Sequence, residues 1–246
     1  MLVLAGTTEA TELARLLVDA GFETISSLAG LTGQPLPRAG AVRQGGFGGV
    51  QGLAAYLREE GIGMIVDATH PFAAAMPFNA VAAAAESGVP HLRLLREPWR
   101  AQPGDRWIEV ADLAAAATIV GEIGERVFLA VGRNSLEPFA ACDGPWFLVR
   151  SIEPVTTVLA NSLAIRDRGP FRFERELELL DEHAIDTLVA KNAGGQASIA
   201  KLEAARALGI TVVMVQRPPG PSGVMVVSSA TSALEWVRSQ VDLSSS

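Results

Sequence analysis

Residues 2–21 read Leu2-Val3-Leu4-Ala5-Gly6-Thr7-Thr8-Glu9-Ala10-Thr11-Glu12-Leu13-Ala14-Arg15-Leu16-Leu17-Val18-Asp19-Ala20-Gly21. Four consecutive apolar residues stop at a glycine, and a helical pattern closed by a second glycine follows at once. An apolar run that does not alternate suits a parallel strand covered by helices on both faces, so the stretch predicts a strand at 2–5 and a helix at 8–20.

The same unit recurs along the chain. Strands are predicted at 24–28, 64–68, 127–131, 146–150, 187–190, 211–215 and 224–227. Helices are predicted at 50–60, 72–87, 111–121, 172–183, 198–208 and 232–241, several closed by a glycine such as Gly61, Gly88 or Gly209. A short apolar Ala41-Val42 precedes a glycine cluster, and His91 opens a further strand-like run. This βα alternation predicts an α/β, doubly wound architecture with mostly parallel sheets. The rhythm breaks at 96–105, with Pro98, Pro103 and Gly104, and again at 218–223, which predicts two successive α/β units. The boundary is placed near Asp112, giving domains 1–111 and 112–246. Which unit the run 224–227 pairs in stays open, and the tail 244–246 is expected to be disordered.

The chain has 246 residues with 20 basic and 27 acidic side chains, a formal charge of −7. At this length folding removes roughly 70 to 75% of the extended-chain surface from water, so no disulfide or structural metal is needed for a core. The acidic balance argues against nucleic-acid binding. A single cysteine, Cys142, excludes a disulfide framework, a cysteine-ligated iron–sulfur cluster and a zinc ribbon. The most apolar stretch, 71–85, is interrupted by Pro77 and Asn79 and falls short of the ~18 to 20 residues of a membrane span. The first residues carry no basic flank and no secretory signal, so a cytoplasmic protein is expected.

The loop after the first strand is where an open α/β sheet binds phosphate: Gly6 permits close approach, and Thr7 and Thr8 face a ligand at the positive helix end. Two readings stand, a phosphate cradle or a simple helix cap. Gly45-Gly46-Phe47-Gly48-Gly49 suits a backbone passing close to a pyrophosphate or flat ligand, or else a surface loop. The second strand ends in Ser26-Ser27-Leu28-Ala29-Gly30, without the carboxylate that accepts the ribose hydroxyls of NAD, and Arg38 and Arg43 follow, which favours the 2′-phosphate of NADP.

Asp67-Ala68-Thr69-His70-Pro71-Phe72 puts polar groups at another strand's carboxyl end, with Pro71 read as the first helical residue. His70 is a candidate proton donor, a ring to stack on a ligand, or a helix-entry residue. His91 and His183 read as structural, and no histidine, cysteine and carboxylate grouping has ligand spacing, so no metal is expected. In the second half, Gly132-Arg133-Asn134 and Lys191-Asn192-Ala193-Gly194-Gly195 each place a cation and an amide just after a strand. Arg150, Arg166, Arg168, Arg172 and Arg217 lie near other strand ends or loops, either around one anion site or as solvated surface. Lys191 is one of only two lysines, with Lys201. Tyr56 has Glu60 four residues on, so the Tyr-x-x-x-Lys pair of short-chain dehydrogenases is missing, as are G-x-S-x-G and a Walker lysine.

Taken together, Gly6-Thr7-Thr8-Glu9-Ala10, the glycine cluster, Asp67 to Phe72, Gly132-Arg133, Ile152-Glu153-Pro154, Arg168-Gly169-Pro170-Phe171 and Lys191 to Gly195 resemble the precorrin-6A reductases of cobalamin biosynthesis over nearly the whole chain. Ala5 and Ala193 depart from the glycine and serine frequent there. The resemblance implies two Rossmann-like domains with the active site in their cleft. It also implies NADPH-dependent reduction of precorrin-6A to its dihydro form, an oxidoreductase acting on a CH–CH group. The cofactor residues expected are Gly6, Thr7, Thr8, Glu9, Ser26, Ser27, Arg38, Arg43, Gly45, Gly46, Phe47, Gly48 and Thr69. The substrate residues expected are Arg133, Arg150, Arg168, Lys191, Asn192, Gly194 and Gly195, holding the carboxylates of a tetrapyrrole, in a protein expected to be monomeric. A reductase of another anionic conjugated substrate, or a non-catalytic nucleotide sensor, are the alternatives.

Overall fold

In the computed structural model, which describes residues 1–29, 39–156 and 159–244, the apolar opening is β1 (Leu2–Ala5), and all four of its residues are buried. The chain continues through α1 (Thr8–Asp19), β2 (Ile25–Leu28), β3 (Ala41–Gln44), α2 (Gly49–Glu59), β4 (Ile65–Ala68), α3 (Met76–Ser87) and β5 (His91–Leu94). Next come β6 (Arg106–Val110), α4 (Leu113–Ile123), β7 (Arg126–Ala130), β8 (Trp146–Ser151) and β9 (Ser162–Arg166). The last elements are α5 (Phe173–Glu182), β10 (Thr187–Lys191), α6 (Ala200–Leu208), β11 (Thr211–Val215), β12 (Val226–Val227) and α7 (Ala230–Ser244). None of the described helices is long and apolar enough to cross a membrane.

The strands form two six-stranded sheets, β3-β2-β1-β4-β5-β12 and β9-β8-β7-β10-β11-β6. Adjacent strands are parallel throughout both sheets. The first has the strand order of a dinucleotide-binding sheet, and the first five strands of the second repeat it. In each, the chain reverses its direction of growth at the central pair, β1 and β4 in one and β7 and β10 in the other. That reversal opens a crevice at the strands' carboxyl ends, where ligands bind in such sheets.

Each unit has its own core. In the first, Val3, Val66, Leu92 and Leu13 pack with Ala233 and Val237 of α7 on one sheet face, while Leu2, Leu4 and Ile65 pack with Leu53 and Ala83 on the other. In the second, Phe128, Leu188 and Met214 pack with Leu180 of α5 and Leu202 of α6. Full burial of such side chains contributes about 1.5 to 3 kcal/mol apiece, which is why the non-alternating runs are the most legible strands.

Four strands fall outside the eight long runs picked out in the sequence. Of these, β3, β6 and β9 have exposed or partly exposed residues throughout, and polar residues such as Arg106, Glu109, Ser162 and Arg166 interrupt their apolar signal. The chain divides at Glu97/Pro98, and Pro219–Ser246 returns to the first unit, leaving Pro98–Pro218 as the second. The division at 111/112 is thereby corrected, because β6 pairs with β11 and β12 pairs with β5. Each of these edge strands joins the sheet farther from it along the chain. The helix expected at 72–87 begins only at Met76, with Pro77 rather than Pro71 in its first turn. At the C-terminus α7 runs through Ser244, and 245–246 lie outside the described residues.

Candidate functional site

At the centre of the first sheet, the loops after β1 and β4 are bonded to each other. Thr7 caps α1 by accepting from the Ala10 amide at 3.1 Å, and its hydroxyl donates to the Ala68 carbonyl at 3.1 Å. Thr7 is therefore a cap and a cross-link at once. A side chain at Gly6 would place its first carbon 3.3 Å from the His70 nitrogen, so the two loops approach as closely as they do because residue 6 has none. Thr8 and Glu9 supply the amides ahead of the first intrahelical bond, the polarity that favours a phosphate. Glu9 would oppose that charge, but Arg96 pairs with it at 2.9 Å.

Asp67, fully buried, holds the β4 loop: its Oδ1 accepts from the Thr69 amide at 3.0 Å and the Thr69 hydroxyl at 2.6 Å. Its other oxygen lies 3.6 Å from Nε of the buried Arg93. The Phe72 amide donates to His70 Nδ1 at 3.2 Å, and the Ala73 amide to the His70 carbonyl at 2.7 Å. These local bonds hold residues 69–73 in a turn and delay α3. With Nδ1 an acceptor, the proton of the neutral ring resides on Nε2.

On the outer side, Arg43 organises the glycine turn. Its guanidinium donates to the Gly45 and Gly46 carbonyls at 2.6 and 2.8 Å and to the Ser27 hydroxyl at 3.3 Å, and it lies over the Phe47 ring at 3.8 Å. Gly45, Gly48 and Gly49 all take positive φ, so the cluster is a turn that demands glycine. Ser27 and Arg43 are thus joined at the end of the second strand. Ser26 is not with them: it is fully buried within the sheet, and among the described residues its hydroxyl has no hydrogen-bond partner, which corrects its assignment as a cofactor contact. Arg38 lies outside the described residues.

The second sheet repeats the arrangement at β7 and β10. Gly132 and Gly195 have nearly the same backbone, φ 83 with ψ 154 and φ 84 with ψ 157, and each opens a short 3₁₀ turn. That conformation is open essentially to glycine alone. Lys191, at the end of β10, donates to the Ser135 hydroxyl at 3.3 Å and so joins the two loops. Burial lowers the pKa of its ammonium. Arg133 stands half-buried in the first turn, and exposed Arg168 lies in the β9–α5 loop, whose Phe171 amide reaches the Ala197 carbonyl of the second turn at 3.3 Å.

Two expected substrate contacts are engaged elsewhere. Arg150 is buried, forms a two-pronged ion pair with Glu176 of α5 and lies 3.7 Å from the Phe171 ring centre, so its role is to fasten α5 to the sheet. Asn192 is buried too, its side-chain oxygen accepting from the Trp99 amide at 2.8 Å and its amino group donating to the Trp99 carbonyl at 3.1 Å. Trp99, Glu176 and Arg93 carry no motif and escape a reading of the sequence. The only cue at Trp99 was the proline-bounded break in rhythm around it.

Two parallel α/β units, each with glycine-bearing loops gathered where its sheet reverses, define a Rossmann-like protein. The sequence profile of the precorrin-6x reductase CbiJ/CobK family matches residues 1–238, and the chain belongs to that family. It is 46% identical over 239 residues to the precorrin-6A reductase of Rhodococcus erythropolis, covering 96% of each chain. With the precorrin-6A reductase of Rhodobacter capsulatus it shares 48% identity over 224 residues, 90% of this chain and 89% of that one. A solved structure of CobK precorrin-6A reductase superposes with a TM-score of 0.92 at 45% identity, covering 97% of this chain and 95% of the other. The protein is accordingly a reductase.

Proposed function

We propose that the protein reduces precorrin-6A to its dihydro form with NADPH, as a monomeric cytoplasmic enzyme of cobalamin biosynthesis acting on a CH–CH group. The observation that carries the reading is the pairing of two kinds of site in a chain of this family. One is a phosphate-type cradle at the centre of the first sheet; the other is a cationic, glycine-turned rim at the centre of the second. NADPH, when bound, supplies the hydride. Gly6, Thr7, Thr8 and the Thr69 loop would hold its pyrophosphate, with the Glu9 charge offset by Arg96. Ser27 and Arg43 would take the adenosine end, where a 2′-phosphate meets a guanidinium and no carboxylate.

In the second unit, Lys191, Arg133 and Arg168 take the carboxylates of the macrocycle, for which charge-assisted hydrogen bonds contribute about 1.5 to 3 kcal/mol each. Catalysis then rests on placement of the reacting carbons. His70, at the carboxyl end of β4, is the candidate to deliver through Nε2 the proton that completes the product.

The test is NADPH oxidation dependent on added precorrin-6A, with kcat/KM for NADPH and NADH compared in the wild type and in Arg43→Ala. The wild type should prefer NADPH by roughly tenfold or more, and the variant should lose most of that preference. Binding of NADPH with no turnover of any tetrapyrrole precursor would instead make the protein a nucleotide sensor.

A further inference from the structure

The loop 191–195 has its carbonyl groups drawn to one set of donors. Arg217 donates through Nε to the Asn192 carbonyl at 2.8 Å and through Nη2 to the Ala193 carbonyl at 3.0 Å. The Trp99 indole donates to the Gly195 carbonyl at 3.1 Å. In a trans peptide the N–H of the next residue points away from the carbonyl. Fixing the carbonyls of Ala193 and Gly195 therefore turns the amides of Gly194 and Gln196 away from Arg217 and Trp99. Among the described residues no backbone carbonyl outside the helices and strands accepts from either amide. The Ala193 amide, by contrast, is used within the loop, donating to the Lys191 carbonyl at 2.6 Å.

Trp99 is itself held firmly. Asn192 grips its backbone at both ends, and the buried Lys201 ammonium lies 4.7 Å from its ring centre while donating to the Ser198 carbonyl at 2.6 Å. An indole so constrained presents its N–H in one direction.

We propose that Trp99 and Arg217 are positioning residues for the substrate: by holding the loop's carbonyls they aim the Gly194 and Gln196 amides at a carboxylate of the macrocycle, beside the Lys191 ammonium. Backbone amides turned to one side with a cation make an anion site. This rests on the reading that the Lys191 loop binds the substrate's carboxylates, and it adds which residues set the loop's polarity.

Trp99→Phe removes the indole N–H and keeps a ring for Lys201, while Arg217→Lys keeps the charge but cannot span two carbonyls. Both are measured beside Lys191→Ala, with KM for precorrin-6A, KM for NADPH, kcat and melting temperature recorded for each. Each positioning variant should raise KM for precorrin-6A roughly fivefold, as the loss of a single hydrogen bond does, with kcat and KM for NADPH near the wild-type values. In the folded wild type, the Gly194 and Gln196 amide resonances should move on addition of precorrin-6A, and move less in Trp99→Phe. If Lys191→Ala weakens precorrin-6A while Trp99→Phe and Arg217→Lys do not, the inference falls and the proposed function stands. If Lys191→Ala has no effect either, the loop does not bind the substrate and both fall. Equal losses for precorrin-6A and NADPH would reduce the two residues to general supports of the fold. Should Arg217→Lys fail to fold, Trp99→Phe and the amide resonances decide the matter.

Discussion

Lys191 combines a cation with a site that strips its water. Burial lowers its pKa, so an arriving anion replaces solvation the ammonium has lost. An anionic substrate binds the charged form, and that form disappears as pH rises through the lowered pKa. The expected outcome is a KM for precorrin-6A that climbs on the alkaline side, beginning below the ordinary lysine value of about 10.4. Lys191→Arg should move that limb beyond the measurable range, and pH profiles of kcat/KM for the two proteins check it.

Arg150 shows the opposite use of a buried cation. Its charge is matched within the fold by Glu176, both being buried, so no ligand is called for. Removing one partner strands the other: Glu176→Ala should cost about 3 to 5 kcal/mol in urea titration, whereas Arg150→Met with Glu176→Leu should recover much of it. A double variant no more stable than Glu176→Ala would show that the pair does more than balance charge.

Among the elements, α2 gives the sharpest conflict between local propensity and packing. Gly52 sits inside the helix, where a glycine-to-alanine change ordinarily stabilises by up to about 1 kcal/mol. Here an added carbon would fall on the Phe47 carbonyl oxygen of the glycine turn. Gly52→Ala should therefore lower the melting temperature and weaken NADPH binding together, because the turn that Arg43 bonds to must shift. A rise in stability with unchanged NADPH affinity would refute that placement. A related conflict delays α3. The apolar run 71–85 reads as continuous helix, yet the side chains of Asp67 and His70 capture backbone amides at 69 and 72, and the first turn is lost to them.

For the molecule as a whole, the two units differ in how the chain assembles them. The second is contiguous, Pro98–Pro218, and contains all six strands of its sheet. The first needs Pro219–Ser246 to bring β12 to its edge and α7 onto its core, where Ala233 and Val237 are fully buried. A fragment of residues 98–218 should fold cooperatively, and a fragment of residues 1–97 should not, as circular dichroism and thermal melting of each will show. Addition of a 219–246 peptide should partly restore the first.

The order of buried strands, and of the loops that follow them, is legible in the amino-acid sequence. An apolar run four to six residues long is its own signal, and glycine at Gly6, Gly132 or Gly195 marks a local backbone or steric demand. Both are short-range properties. The pairing of β6 with β11 and of β12 with β5 emerges only on folding, since a weakly apolar edge strand carries no mark of its partner sheet. Folding also decides which polar residues are free to meet a ligand. Arg150 answers to Glu176, 26 residues away, and Asn192 to Trp99, 93 residues away. A charged or amide side chain after a strand looks the same in sequence whether it faces a substrate or is spent on a distant neighbour, because the energy that settles the choice is the desolvation of a contact made only when the chain has folded.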